Sequence, residues 1–372
     1  MSIIHIADLH IREHPWTGRP DIRGDAEYAL EKIRDLALEG GHHVVIAGDL
    51  FHTAKPTCWA VSLVQNFVHE ILGSGLNVMH VLGNHDPNPW ISTSPDLANS
   101  IIHLDYEVVS DVLGTHSVTG MDYTPINNIQ QRLSEIDPSA EVLVTHQAFS
   151  EAFRWSPQLS LSDVPDWIRL VLSGDIHKHF TCVNKLGQRL MYPGPPHMTA
   201  MGDDEKGGAW IVSDDLSVQG VNVPKRRVLR EECSSSTQIQ EIATRAMDVY
   251  RDSTDLPEEL RAPLISVKWR VGEVENVEEI LQDALKGRGH VFGYPQPENA
   301  LEGEEIDYEV GKHSLRDFLD QLMPVQESPE CYNAAAGILD GMPMENVVRL
   351  CAQGLDFSEE QLNHIVPSGR DV

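Results

Sequence analysis

No stretch of the 372 residues approaches the ~18 consecutive apolar residues that a bilayer span requires. The opening MSIIHIADLH has neither a basic leader nor a small-residue cleavage site. Neither membrane insertion nor secretion is expected, and the setting expected is cytoplasmic, the host's cytoplasm if the source is viral. Cysteine is scarce as well. The five cysteines (58, 182, 233, 331 and 351) are odd in number, scattered and without a CxxC pair, which argues against a disulfide framework or a zinc knuckle. Positive charge is the third deficit. With 28 Lys and Arg against 57 Asp and Glu the net charge is −29, and a chain so poor in cations can neutralise few phosphates of a nucleic acid by itself. The deficit is uneven: residues 1–230 carry 17 basic and 28 acidic side chains, residues 231–372 carry 11 and 29.

What is present describes a globular protein, 41% hydrophobic and 23% charged, with length for roughly two to three folding units. Up to about residue 230, short β-branched runs alternate with amphipathic stretches. SIIHIAD, HHVVIAGD, NVMHVLGN, EVLVTHQ and IRLVLSGD read as buried strands, and EYALEKIRDLAL and WAVSLVQNFVHEIL as helices between them. The expected core is α/β, two packed β-sheets flanked by helices. GGAWIV and LSVQGVNV form a further strand pair, and KRRVLREECSSS reads as a boundary. A small α+β unit is expected over 231–300, with strand LISVKWRV, helix VEEILQDALKG and strand HVFGY; a helical tail is expected over 312–372.

Five polar clusters fall at the ends of these strands: Asp8 and His10 in ADLH; Asp49 in GDLFH; Asn84, His85 and Asp86 in GNHD; His146 in THQ; Asp175, His177 and His179 in GDIHKH. Ligands collect at the carboxyl ends of strands in open α/β sheets. Singly, each cluster has a bland explanation, since GD and GNHD are ordinary turns and His146 alone would be a packed histidine. Together they supply carboxylate, imidazole and amide donors, the set a two-metal hydrolytic site needs to make a nucleophile from water and neutralise a phosphoryl group. The remaining histidines read as structural: His5, His80 and His103 packed, His42 and His43 near the surface.

In their order, DxH, GD, GNHD, H and GxxH, these motifs resemble the calcineurin-like metallophosphoesterases over about 200 residues. The longer strings GDLFHTAKPT, THQ and YPGPP resemble the nuclease branch of that superfamily, the SbcD and meiotic-recombination-eleven proteins. The resemblance implies two divalent ions, Mn²⁺ foremost and Mg²⁺ as the alternative. It assigns Asp8 and His10 to one ion, Asp49 to a bridge, and Asn84 and His146 to the other. It makes His85 a transition-state stabiliser or general acid, Asp86 its orienting group, and His52 a neighbour of the substrate. It further implies DNA exonuclease and endonuclease activity in a double-strand-break repair complex, two copies of the nuclease chain, and a partner SMC-like ATPase of the SbcC type docked on the helical tail. The unit at 231–300 corresponds by placement to the family's capping domain.

One departure stands out. Where the family reads GHxH, this chain has Gly174, Asp175, Ile176, His177. Either Asp175 and His177 are the ligands, which suits a hard ion, or the pair slides to His177 and His179. We favour the first. The rival readings are a metallophosphoesterase acting on small nucleotides or phosphoproteins, which the acidity supports, and a non-catalytic assembly subunit.

Overall fold

The computed structural model describes residues 2–16, 19–86, 99–154, 157–270, 274 and 276–296. All of these belong to one compact unit, Met1–Ala300. The tail expected over 312–372 lies outside the described residues.

The β-branched runs form strands where the sequence places them. In chain order the elements are β1 (Ser2–Ile6), α1 (Asp25–Gly40), β2 (His43–Ala47), α2 (Cys58–Gly73), β3 (Val78–Val81), β4 (Ile102–His103), β5 (Val109–Leu113), β6 (His116–Met121), α3 (Ile126–Ser134), β7 (Val142–His146), β8 (Leu170–Gly174), β9 (Phe180–Val183), β10 (Arg189–Tyr192), β11 (Gly208–Ser213), β12 (Val218–Asn222), β13 (Val228–Cys233), α4 (Ser236–Asp252), β14 (Leu264–Arg270), α5 (Val277–Leu285) and β15 (His290–Gln296). Two six-stranded sheets result, in the orders β12-β11-β1-β2-β3-β4 and β5-β6-β7-β8-β10-β9, with a three-stranded sheet β13-β14-β15.

Strand alternation decides which face each residue takes. Ile3, Val45, Ala47, Met79 and Val81 of the first sheet meet Val142, Val144, Leu170, Leu172 and Met191 of the second in a common apolar layer. The opposite face of the first sheet is covered by α1 and α2, whose Leu30, Ile33, Val64 and Val68 recur at helical spacing. Gly41, at φ 63°, ends α1 by returning its N–H to Ala37 O, and the Thr57 side chain caps α2 by accepting from the Ala60 N–H. On the far side of the second sheet, Ile129 and Leu133 of α3 pack on Leu143 and Val171. The arrangement is the two-sheet sandwich expected from sequence. Because β1, β2 and β3 are mutually parallel, as are β7 and β8, the carboxyl ends of all five strands that carry the polar clusters can open onto shared space.

Two expectations need correction. KRRVLREECSSS is not a bare boundary: Val228–Cys233 pairs in parallel with Leu264–Trp269, and Ser235 caps α4 by accepting from the Gln238 N–H. Its charges misled because Arg230 and Glu232 are exposed on an edge strand and Glu231 pairs with Arg245 of α4, while Val228 and Cys233 are buried. His103, expected to be packed, is exposed; its Nε2 lies 2.9 Å from both Asp122 oxygens, and its ring covers the buried His80. The third sheet is tied to α1 through a buried ion pair: Arg226 donates to both Asp25 oxygens at 2.9 and 3.0 Å and to Ala262 O at 2.9 Å.

Candidate metal centre

The strand ends turn abruptly. Asp8, His10, Asp49 and Asp175 all hold positive φ, at 56°, 44°, 51° and 83°, and account for four of the nine such non-glycine residues among those described. Side chains with a Cβ avoid this region, and clustering of such strain at one locus is a mark of a functional site. The turns are locked by backbone bonds, Asp8 N–H to Gly48 O at 3.2 Å and His10 N–H to Asp49 O at 2.9 Å. Close approach adds a demand on glycine. A Cβ on Gly48 would strike the His146 ring, and one on Gly83 would strike Asp49 Oδ1.

Asp49 is the centre of the constellation. Its Oδ2 lies 3.4 Å from His10 Nε2 and 3.5 Å from His146 Nε2, while its Oδ1 accepts the His85 N–H at 3.0 Å. On one side, His177 Nε2 is 3.2 Å from His10 Nε2. On the other, Asn84 Oδ1 is 3.2 Å and Asp175 Oδ1 3.9 Å from His146 Nε2. Asp8 Oδ1 accepts the Asp175 N–H at 2.9 Å, but its Oδ2 is fully buried with no hydrogen-bond partner. Two of the imidazoles have their tautomer set from behind: His146 Nδ1–H donates to Ala47 O at 2.8 Å and His177 Nδ1–H to Asp203 Oδ1 at 2.9 Å, which leaves each Nε2 lone pair directed inward.

The electrostatics describe a site built for cations. Burial raises the Asp8 carboxyl to about 6, against the pull of His177 and His146. Burial alone would also raise Asp49, but His146 and His10 outweigh it and hold that carboxyl below the ordinary range. Burial opposes charge on His146, yet Asp49, Asp8 and Asp175 together lift it well above the usual imidazole value. His10 is lowered by burial. The donor set therefore fits divalent ions: donors at right angles around an ion ~2.1 Å away stand ~3 Å apart, close to the separations found, and the orphaned Asp8 oxygen gains a partner. Asp8, His10 and His177, and separately Asp8, Asp49 and His146, form compact groups able to hold an ion.

Residues 1–179 match the calcineurin-like phosphoesterase family. The chain carries a calcineurin-like metallophosphoesterase domain. Among curated proteins the chain is similar to the SbcD component of the SbcCD nuclease of Escherichia coli K12, 25% identical over 26% of this chain and 24% of that one. It is also similar to the DNA double-strand break repair protein Mre11 of Methanococcus maripaludis, 20% identical over 58% of this chain and 63% of that one, and to Mre11 of Haloferax volcanii, 24% identical over 47% and 41%. The chain thus spans from about a quarter to under two thirds of the length of these relatives. Among solved structures it aligns with a novel archaeal phosphodiesterase at 11% identity and TM-score 0.33, over 60% of this chain and 99% of that one; the fold rests on the sheets described above.

Within the metallophosphoesterase domain the structure brings together Asp8, His10, Asp49, Asn84, His146, Asp175 and His177. His179 is turned away, its ring stacked on Trp210 at 4.1 Å and its Nδ1–H on Pro193 O. His85 and His52 face each other at the mouth, ring centroids 5.6 Å apart, with His10 5.0 Å from His85. Asp86, expected to orient His85, instead spends both oxygens on the Phe51 and Gly83 N–H groups at 2.9 Å, and the His85 Nδ1–H donates to the His52 carbonyl. Burial and its neighbour Asp49 push the Asp86 carboxyl up to about 7. Two further residues escaped the sequence reading. Arg12 donates to His52 Nε2 at 2.8 Å and to Thr199 O at 3.3 Å; burial first, then this guanidinium, lowers His52 to about 4. Asp203 is the other. Neither lies in a spaced motif that would have pointed to it.

Proposed function

We propose that this chain is a two-metal phosphodiesterase that cleaves DNA, the nuclease subunit of a recombination and repair complex of the SbcCD type. The observation that carries the metal reading is the bridging position of Asp49 Oδ2 between His10 Nε2 and His146 Nε2. Asp8, His10, Asp49 and His177 would hold one ion and Asp49, Asn84, His146 and Asp175 the other, with Mn²⁺ favoured by the mixed oxygen and nitrogen donors. Bound there, two divalent ions would activate water at neutral pH and offset the charge of the phosphoryl oxygens.

The chain's own residues supply the rest. His85, anchored by its Nδ1–H on the His52 carbonyl, presents Nε2 to the leaving oxygen and can donate a proton there in its imidazolium form. His52 and Arg12 line the same mouth, and a guanidinium there suits a phosphate. The tight turns at Asp8, Asp49 and Asp175 fix the donors before substrate arrives.

The DNA assignment is supported by likeness to SbcD and Mre11 proteins and by the GDLFHTAKPT and YPGPP strings. A charge of −29 makes weak binding of duplex DNA by the isolated chain the expectation at physiological salt, so an SMC-like ATPase partner would supply the DNA-binding surface. The segment over 312–372 is the proposed docking element, and the unit over 231–300 the proposed cap over the DNA path. The same acidity favours a second reading, hydrolysis of small phosphodiesters.

Duplex DNA and bis-p-nitrophenyl phosphate assayed side by side with Mn²⁺ separate the two. Cleavage of both, abolished by Asp49→Ala together with metal content, supports the proposal. Full Mn²⁺-dependent activity in Asp49→Ala would sink the site assignment, and inactivity on DNA even with the ATPase present would leave only the small-substrate reading.

A further inference from the structure

His177 is held by a residue that no motif includes. Asp203 is 1% exposed, and its two oxygens do different things. Oδ2 accepts the Thr199 N–H at 2.7 Å, the Thr199 Oγ1–H at 2.7 Å and the Ala200 N–H at 2.8 Å, closing the turn over 199–203. Oδ1 takes the His177 Nδ1–H at 2.9 Å. The turn is anchored independently of the site, since Arg230 donates to Asp203 O and Lys225 Nζ to Asp204 O.

We propose that Asp203 is a positioning residue for the metal centre: it fixes the proton of His177 on Nδ1, so that the Nε2 lone pair, 3.2 Å from His10 Nε2, is aimed at the ion. An ionised carboxylate only accepts hydrogen bonds, so the proton of this pair belongs to the imidazole. A carboxylate behind a ligating histidine sets both ring orientation and tautomer, and losing it typically weakens metal binding about 10- to 100-fold. The same turn receives Arg12 through Thr199 O, and Arg12 in turn holds His52. Asp203 therefore serves the metal side directly and the substrate side at two removes. The inference rests on the metal reading of the site given above.

Asp203→Asn discriminates sharply. Three donors on the turn side require an oxygen, so the amide would set its oxygen there and present its NH₂ to His177 Nδ1. That ring nitrogen must then accept, the proton moves to Nε2, and the ligand lone pair is lost. The turn stays closed. Calorimetric titration with Mn²⁺ should show one of two sites weakened about 10- to 100-fold, with the unfolding midpoint of the metal-free protein nearly unchanged. In the metal-free wild type, ¹H–¹⁵N spectra of the imidazoles, assigned through His177→Gln, should show His177 as the Nδ1–H tautomer, and Asp203→Asn should convert it to Nε2–H. Thr199→Val removes the hydroxyl donor to Asp203 Oδ2 and the longer 3.4 Å contact of Thr199 Oγ1 with His177 Nδ1, but it keeps the carboxylate behind the ring and should leave Mn²⁺ affinity within about twofold of wild type.

Unchanged Mn²⁺ affinity in a folded Asp203→Asn, equal loss in Thr199→Val, or an Nε2–H tautomer in wild type would each overturn the proposal. If Asp203→Asn fails to fold, the wild-type tautomer and Thr199→Val still decide it. Wild-type protein that binds no Mn²⁺ at all sinks the metal reading itself, a result distinct from any of these.

Discussion

Asp8→Asn should spare the metal-free protein the stability it loses as pH rises from about 4 to about 7, while removing its hold on metal. The Asp8 carboxyl is wholly buried, and burial raises it from an ordinary 3.8 to about 6. In the metal-free protein the unfolded chain releases this proton above its ordinary value, whereas the folded chain keeps it until about 6. The unfolded state binds fewer protons across that window, so stability falls as pH rises through it and stays lower above it. At about 1.4 kcal/mol per pKa unit the penalty reaches about 3 kcal/mol near pH 7.5, of which about 2 develops above about pH 4.5. Asparagine cannot ionise, and its Oδ1 can still accept the Asp175 N–H. The burial of its NH₂ is the same at both pH values and cancels from their comparison. Urea unfolding in EDTA, wild type against variant at about pH 4.5 and about pH 7.5, should therefore show the gap shifting by about 2 kcal/mol in the variant's favour. Saturating Mn²⁺ should reverse the ranking, since a ligand at 100 times its Kd adds about 2.7 kcal/mol per site to whichever protein binds it. A gap that does not move with pH would refute the reasoning.

Asp175→Ala should lower metal content after anaerobic purification far more than His179→Ala, whose ring stacks on Trp210 outside the cluster; the reverse ranking in elemental analysis would move the ligand pair to His177 and His179. His85→Ala should keep both ions yet lose about 10²- to 10⁴-fold in turnover, and a loss of metal instead would make His85 a ligand. Asp25→Ala should cost about 3–5 kcal/mol in urea unfolding because it strands the buried Arg226 guanidinium. Asp25→Leu combined with Arg226→Met should recover most of that loss, and a single variant within 1 kcal/mol, roughly the worth of an exposed pair, would show the ion pair to be dispensable.

The strands and the polar residues at their ends were legible because both signals are local in sequence: a β-branched run, then a turn residue. What could not be read were contacts made across the fold. Asp203 meets His177 over 26 residues and Arg12 meets His52 over 40, and neither pairing leaves a periodic trace. Charge on Val228–Cys233 disguised an edge strand. Spacing left Asp175 and His179 as alternatives; in the fold Asp175 Oδ1 lies 3.9 Å from His146 Nε2 while the His179 ring stacks on Trp210. For Asp86 the reading erred in a different way. Adjacency to His85 suggested a partnership, but neighbours in a tight turn need not face one another, and its carboxylate faces backbone amides instead.

Gly48 and Gly83 carry a consequence for how such a site can change. The glycine of GDLFH makes room for the histidine of THQ, and the glycine of GNHD makes room for the aspartate of GDLFH. Each short motif is thus half of a lock whose key lies in another segment of the chain. Transplanting one strand-end segment from a distant relative should fail even if every ligand is retained, whereas exchanging the interlocked segments together should succeed. Drift in this protein is tethered: the segments can diverge only in step.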